Sequence, residues 1–262
     1  MSNAALHVAR TGLDAQAARM RVIANNLANV NTTGFQRERA EFKTLSYQTL
    51  TAPGAASAGD SRYAIGQSLG SGVQMTGISR DNTQGSLNTT SNPYDLAIQG
   101  EGFFQVQRPD GTTAYTRAGN FQVSSEGQLV TSEGFPLQPD IRVPEGVSSV
   151  TIGADGKVSA QVAGQAEPSE VGQIELARFV NPAGLLPLGD NLYQATTASG
   201  EAQVGAAGAE GRGQIRQGAL EGSNVNVVQE LVDMIETQRA YEVNSKMIQA
   251  TDEMLRNANQ QL

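Results

Sequence analysis

Apolar side chains recur at every seventh position near the C-terminus of the chain. The row is Val227, Met234, Tyr241, Ile248 and Leu255, and Leu231 and Ile235 widen it. This period, with polar residues on the far side, is typical of a helix that packs in a coiled coil. Gly222 interrupts whatever structure precedes the row, and Ser223 or Asn224 can supply the capping oxygen. The pattern therefore predicts one long amphipathic helix within residues 221–262, with a narrow apolar seam.

A second pattern of the same period lies at the other end of the chain. One row contains Leu6, Leu13, Met20 and Leu27, and a row three positions later contains Ala9, Gln16, Ile23 and Val30. This spacing predicts a helix within residues 1–35. Residues 1–39 carry five Arg against two acidic residues, whereas residues 221–262 carry three basic residues against seven acidic ones. Because the seams and charges are complementary, we expect the two helices to pair as a coiled coil that is shared with neighbouring subunits on assembly.

The segment after the first helix, residues 36–94, changes composition twice. A short polar stretch is followed, over residues 51–72, by a segment rich in Ala, Gly and Ser that contains Pro53. This composition predicts an extended connector with the first strands of the chain, flexible over residues 51–72. A long hairpin that becomes ordered only against neighbours is the alternative interpretation.

The periodicity falls to two in the centre of the chain, and turn signals become frequent there. Short strands are predicted at residues 95–107, 114–123, 128–131, 141–143, 150–152, 157–162 and 173–180, with one more near 214–217. The glycines at positions 111, 127, 134 and 156 each follow Asp or Glu, as in tight hairpin turns. We therefore predict a mainly β protein in which an antiparallel β domain, residues 95–220, is flanked by the two long terminal helices.

Composition excludes several classes of function. The formal net charge is −8 and the basic residues are scattered, which argues against a nucleic-acid backbone or a membrane surface as the main partner. The chain contains no cysteine, so disulfides, thiolate metal sites and thiol catalysis are excluded. The N-terminus has no pattern of a cleaved secretory signal, and no run reaches the roughly 18 apolar residues of a membrane-spanning helix. These features alone predict a cytoplasmic protein without membrane insertion.

The motifs that suggest cofactor chemistry have simpler explanations. Gly100-Glu101-Gly102 resembles part of a dinucleotide-binding loop, but the third Gly is missing and a strand rather than a helix follows. The segment 153–158 has the end of a phosphate-binding loop without its spacing. His7 is the single histidine, so one subunit cannot form a histidine metal cluster or a Ser-His relay. We expect turns at both glycine-rich sites, His7 at the surface or an interface, and no cofactor.

Paired carboxylates are the remaining candidate for catalysis, because glycoside hydrolysis requires only two of them. The acidic residues of the β region include Glu101, Asp110, Glu126 and Glu133. Each lies beside Gly or in a predicted turn, where a solvated charge is the ordinary finding. We therefore expect no enzyme activity, and a hydrolase that acts on the cell wall is retained as the alternative from a different class.

Three blocks of sequence resemble the bacterial flagellar axial proteins of the rod and hook. These are TGLDAQAARMRVIANNLANVNTTGFQRERAEF at residues 11–42, DLAIQGEGFFQV with YTRAGNF at 95–121, and SNVNVVQELVDMIETQRAYEVNSKMIQATDEML at 223–255. Within that family, the chain length and the connector leading into LGSGVQ favour the distal rod. A hook subunit or a proximal rod subunit is the alternative, because both share the terminal signatures.

The resemblance implies a structural subunit that polymerises helically into the hollow drive shaft between motor and hook. The implied partners are further copies of the chain, the proximal rod proteins, the hook or its junction, the rings around the rod and the type III export apparatus. Export by that apparatus without cleavage implies a place in the basal body, outside the cytoplasm. The implied polymer interface comprises Leu6, Leu13, Met20, Ile23, Leu27, Val30, Val227, Leu231, Met234, Tyr241, Ile248 and Leu255.

Overall fold

The computed structural model describes residues 2–54, 56–58, 61–62, 64–144, 146–162 and 168–260. The chain divides into two compact units. The first unit is built from Met1–Ala28, Glu38–Ser79 and Asn226–Leu262, and the second from Asn29–Arg37 and Arg80–Val225. The structure confirms the predicted class, since antiparallel strands predominate and a long helix lies near each end of the sequence.

The two helices are α1 (Ser2–Ala28) and α2 (Val227–Gln260). The predicted capping residues of α2 were wrong, because the helix begins later than its sequence pattern suggested. Asn226 is the cap: its Oδ1 accepts hydrogen bonds from the backbone N–H groups of Val228 and Gln229, at 3.0 and 3.2 Å. Asn224 is engaged elsewhere, since its Oδ1 accepts a 2.6 Å hydrogen bond from the backbone N–H of Arg37.

The first unit also contains six short strands. They are β1 (Glu38–Thr44), β2 (Tyr47–Thr51), β3 (Ala56–Ala58), β4 (Ser61–Arg62), β5 (Gln67–Gly70) and β6 (Val73–Arg80). Strand β1 pairs with β6, β2 with β5 and β3 with β4. The segment interpreted as a connector thus contains nested strand pairs within the single chain, and its ordering against neighbouring subunits stays a prediction. Residues 55, 59, 60 and 63 of this segment lie outside the described residues.

The second unit carries the remaining strands. They are β7 (Leu87–Thr89), β8 (Leu96–Gln99), β9 (Phe103–Gln107), β10 (Thr113–Thr116), β11 (Gln122–Val123), β12 (Leu129–Val130), β13 (Leu137–Gln138), β14 (Val147–Ile152), β15 (Lys157–Val162), β16 (Ser169–Gln173), β17 (Glu175–Arg178), β18 (Leu186–Gly189), β19 (Leu192–Gln194), β20 (Gln203–Ala206), β21 (Gln214–Gln217) and β22 (Ala219–Glu221). The predicted strand near 214–217 is confirmed as β21. Three predicted strands were too long: residues 95–107 form β8 and β9 in different sheets, 114–123 contains the end of β10 and the whole of β11, and 173–180 contains the end of β16 and the whole of β17. The strand predicted at 141–143 was wrong, because Arg142 forms an isolated bridge there.

The main sheet of the second unit has seven antiparallel strands. Its order is β18-β19-β10-β9-β17-β20, and β13 also pairs with β9. Neighbouring residues of β9 point to opposite faces: Phe104 belongs to the larger apolar cluster and Phe103 to a smaller one with Tyr115 and Phe179. Both faces of the sheet are therefore covered, which explains why β9 is buried at four consecutive positions, from Phe103 to Val106.

The predicted tight turns are confirmed at the glycines that follow acidic residues. Gly111, Gly127, Gly134 and Gly156 all have φ between 79° and 86°. In this left-handed region a side chain would be strained, so glycine is the residue that these turns require.

Candidate functional site

Within the first unit, α1 and α2 pack against each other in antiparallel directions. Near the end of α1, Asn26 bonds Glu230 near the start of α2. Two turns before Asn26 in α1, the guanidinium of Arg19 lies 3.7 Å from the Asp233 carboxylate. The predicted pairing of the terminal helices is thus present within one chain, and its sharing with neighbouring subunits stays a prediction.

The side of α2 that faces α1 is centred on a polar row rather than on the predicted apolar one. Glu230, Thr237, Asn244 and Thr251 follow one another at intervals of seven, and the first two are completely buried. The hydroxyl of Thr237 donates a 2.6 Å hydrogen bond to the Asp233 carbonyl one turn earlier. Glu230, Thr237 and Thr251 all have hydrogen-bond partners, which offsets the cost of placing a polar row against another helix.

Asn26 connects three elements of the unit. Its Nδ2 donates to Glu230 Oε2 at 3.1 Å and to the Glu38 carbonyl at 2.8 Å, and its Oδ1 accepts the Glu38 N–H at 2.9 Å. The side chain is 1% exposed and that of Glu230 is fully buried. A buried amide with these bonds fixes α1, α2 and the start of β1 relative to one another.

The helices also approach closely at Gly12. A Cβ placed on Gly12 would lie 3.3 Å from Nδ2 and 3.4 Å from Oδ1 of Asn244. The missing side chain therefore makes room for the Asn244 amide between the helices. Glycine lowers the stability of a helix interior by about 1 kcal/mol relative to alanine, so its presence here is explained by packing rather than by propensity.

A different side of α1 contacts the segment that leads into β6. The Thr11 hydroxyl accepts a 3.3 Å hydrogen bond from the Val73 N–H, and His7 Nδ1 lies 3.3 Å from the Ser71 carbonyl oxygen. His7 is exposed, as expected. α1 is thus covered on two sides, by α2 and by the β1-β6 ribbon, whereas most apolar side chains of α2 are left exposed.

The structure places the predicted interface residues in three environments. Ile23 is buried, at 4% exposure. The half-buried residues are Leu6, Leu13, Met20, Leu27, Met234 and Ile248, together with Val30, which follows the end of α1 and belongs to the second unit. The exposed ones are Val227, Leu231 and Tyr241. The side chain of Leu255 lies outside the described residues.

Sequence reasoning missed the polar row of α2 and the role of Asn26. The seven-residue spacing of Glu230, Thr237, Asn244 and Thr251 is visible in the sequence. It carries no hydrophobic signal, so a search for apolar periodicity assigns those positions to the solvent face. The pairing of Asn26 with Glu230 joins residues 204 positions apart, and no local pattern indicates it.

The glycine-rich motif of the β region is a turn, as predicted. Gly100 and Gly102 have φ of 112° and 141°, and both carbonyls accept 3.0 Å hydrogen bonds from the buried guanidinium of Arg117. Arg117 also donates to the buried Glu221 carboxylate at 2.8 Å. This arrangement explains the motif by its internal hydrogen bonds, with no need for a bound phosphate.

The candidate carboxylates lie in four different turns or bends of the second unit. Glu101 is exposed and pairs with Arg178 at 2.9 Å, while Glu126 and Glu133 are also exposed. Hydrogen bonds from Thr112 hold the pKa of Asp110 below its usual value. No group of three or more His, Cys, Asp or Glu with metal-binding geometry occurs among the residues that the structure describes. Over the same residues, neither helix is apolar enough to span a bilayer.

Three family models match successive parts of the chain. The model described as Flagella basal body rod protein matches residues 6–36. Flagellar hook protein FlgE/F/G D1 domain matches residues 97–160, and Flagellar basal body rod FlgEFG protein C-terminal matches residues 216–261. The first and third matches include most of α1 and α2, the two helices that form the pair.

Individual relatives extend the similarity to nearly the whole chain. Flagellar basal-body rod protein FlgG of Buchnera aphidicola (subsp. Acyrthosiphon pisum) is 49% identical over 97% of this chain and 98% of its own length. FlgG of Borreliella burgdorferi is 46% identical over 97% of both chains. In Caulobacter vibrioides, FlgG is 45% identical over 98% of both chains, whereas the rod protein FlgF is 39% identical over 92% of this chain and 90% of its own length. This chain therefore belongs to the flagellar axial family of rod and hook proteins, as a structural subunit most like the distal rod protein FlgG.

Proposed function

We propose that the chain polymerises helically into the distal rod through its terminal helices, forming a hollow shaft that transmits torque and lets exported subunits pass. The observation that carries this proposal is the exposure of apolar side chains on α2. Val227, Leu231 and Tyr241, three of the predicted interface residues, are at least 36% exposed in the single chain. Apolar side chains that remain exposed along a helix face favour burial against another subunit.

The dimensions of the helices suit contacts with more than one neighbour. α1 has 27 residues and α2 has 34, which correspond to about 40 Å and about 50 Å of helix. In a head-to-tail contact whose rotation does not close, the same surfaces are used in every subunit and a helical filament results. We propose that Leu6, Leu13, Met20, Leu27, Met234 and Ile248 become fully buried in that filament, as do Val227, Leu231 and Tyr241.

The wider set of partners follows from the place of a distal rod in the flagellum. We infer that the chain contacts the proximal rod proteins at one end of the polymer and the hook or its junction at the other, with the rings around its outer surface. We also propose that the type III export apparatus delivers it without cleavage to the basal body, where the rod crosses the periplasm. No catalytic step is assigned to the chain.

The experiment that tests the proposal places a carboxylate in the seam. Ile248→Asp and Leu27→Asp each introduce a charge that would be buried in the polymer, and burying an uncompensated charge costs several kcal/mol per subunit. We expect soluble, exported subunits without rods, hooks or motility. Gln249→Asp is the matched control, because Gln249 is the exposed neighbour of Ile248 on the same helix. Normal rods in Ile248→Asp cells, seen by electron microscopy of basal bodies, would refute the terminal helices as the interface.

A separate set of variants tests the hydrolase alternative. Glu101→Gln, Glu126→Gln and Glu133→Gln remove exposed carboxylates while keeping side-chain shape. A structural subunit should retain motility in all three. Loss of function at one position, in a protein that still assembles into rods, would favour the enzyme.

A further inference from the structure

The first turns of α2 carry a compact apolar patch. It consists of Val228, Leu231, Val232 and Ile235, which are 70%, 43%, 45% and 50% exposed. Their spacing of i, i+3, i+4 and i+7 places them on one side of the helix. Helices that insert into a groove of a partner use this spacing for their anchoring side chains. We call these four residues the α2 patch.

A groove of about 280 Å³ lies elsewhere in the same unit, between α1 and the β1-β6 ribbon. Its apolar lining is Ala18, Val22, Met75 and Ile78, and its polar lining is Arg21, Asn25 and Glu38. Ala18 and Val22 are buried, whereas Ile78 on β6 is 50% exposed. The groove is smaller than the roughly 300–1,000 Å³ typical of small-molecule sites, and it is open and partly apolar, which suits inserted side chains.

The α2 patch does not reach the groove of its own chain. Glu230 and Asn244 hold the other side of α2 against α1 through Asn26 and Gly12, so the patch side chains point away from α1. In the folded chain both surfaces consequently remain exposed. An apolar patch and a partly apolar groove that cannot meet within one molecule can meet between two copies.

We propose that the α2 patch of one subunit docks into the groove between α1 and the β1-β6 ribbon of the next subunit in the rod. This inference rests on the proposed function, which it deepens by naming the two surfaces. Each surface carries charges of both signs, so opposite charges can pair across the contact. The groove has Arg21 and Glu38, and beside or just beyond the patch on α2 lie exposed Glu236, Arg239 and Glu242. Each copy carries both surfaces, so the contact is heterologous and extends into an open polymer. α1 is then enclosed by its own α2, its own ribbon and the α2 of a neighbour.

Site-directed disulfide formation tests this contact, since the natural chain contains no cysteine. Two differently tagged copies would be expressed together, one with Ile78→Cys and the other with Ile235→Cys, so that only a contact between copies can join them. Isolated basal bodies would then be oxidised and analysed without reductant. The control pair combines Ile78→Cys with Val243→Cys, because Val243 is 60% exposed on the same helix but lies two turns beyond the patch.

We expect a mixed dimer for the Ile78→Cys and Ile235→Cys pair, alongside monomer because the two copies mix along the polymer, and no mixed dimer for the control pair. Normal rods without a mixed dimer, or equal yields for both pairs, would overturn the docking contact while leaving the proposed polymer intact. If the parent protein were absent from basal bodies, the proposed function itself would fail. A second experiment uses Ile78→Asp, whose folding is first checked by circular dichroism. If this variant folds like the parent protein, we expect cells that carry it to lack rods. Normal rods would count against the groove as a docking site.

Discussion

Asn26 and Glu230 meet in the interior of the first unit, where Nδ2 of the amide donates a 3.1 Å hydrogen bond to the carboxylate. The same amide bonds both backbone groups of Glu38. One side chain thus connects both terminal helices and the first strand. The buried contact is polar and directional, so it specifies which sides of the helices face each other, whereas an apolar seam alone permits several rotations.

Asn26→Asp tests this connection. The substitution removes the donor to the Glu38 carbonyl and places a second carboxylate beside Glu230, so we expect the helix pair to be destabilised by roughly 3 kcal/mol. Glu230→Gln keeps an acceptor for Asn26 and should change stability by only about 1 kcal/mol. Hydrogen exchange of α1 and α2 measures both. In the double variant the new amide on α2 can donate to the new carboxylate on α1, so partial recovery is expected. Unchanged protection in Asn26→Asp would contradict the assigned role.

The close approach of the helices should limit the size of the side chain that position 12 tolerates. Gly12→Ala should be tolerated within about 1 kcal/mol, because the better helix propensity offsets a small shift of the Asn244 amide. Gly12→Leu should separate the helices and lower the free energy of unfolding by about 2 kcal/mol. Ala24→Leu, at an exposed position of the same helix, is the control. Thermal unfolding followed by helical circular dichroism distinguishes them, and equal melting of Gly12→Leu and Ala24→Leu would count against close packing.

The stability of the second unit should depend strongly on Arg117. Its side chain is 4% exposed, and the guanidinium bonds Glu221 and the carbonyls of Gly100 and Gly102. Lysine has one ammonium group and cannot reproduce the several N–H donors of the planar guanidinium. Arg117→Lys should therefore destabilise the unit by roughly 3 kcal/mol. Arg142→Lys is the matched control: its pair with Asp140 is exposed, and the loss should stay below about 1 kcal/mol. Urea unfolding measures the difference, and equal midpoints would show that the buried network contributes little.

Tyr115 predicts a loss of stability in alkali. Burial raises the pKa of its hydroxyl above the ordinary value of about 10. The folded state therefore favours the neutral ring. This contribution is fully present below the unfolded pKa and is lost as pH rises through the folded pKa. Tyr115→Phe should have a shallower decline of the urea midpoint above about pH 10 than the parent. Tyr47→Phe, at an exposed position, should follow the parent, and identical slopes for all three proteins would contradict the role of Tyr115.

Local patterns determined the parts of the fold that depend on neighbouring residues. The period of seven predicted a helix near each end, and the acidic-glycine pairs predicted turns with positive φ. Both are consequences of backbone geometry, which acts over a few residues. The start of α2 was misplaced because Asn224 and Asn226 are equally good caps by sequence. Only the contact of Asn224 with the Arg37 backbone leaves Asn226 as the cap.

Tertiary structure decided which side of α2 packs within the chain. By sequence, the apolar row that contains Met234 and Ile248 has the stronger signal. In the folded chain the polar row of Glu230 and Thr237 takes the buried position, because Asn26 is available to bond the carboxylate and Gly12 leaves room for Asn244. These partners lie on the other helix, far away in the sequence, and periodicity within one helix carries no information about them. The sequence by itself thus determined that the terminal helices form and are amphipathic. Their relative rotation, and hence which apolar side chains stay exposed, follows from hydrogen bonds that exist only after the chain has folded.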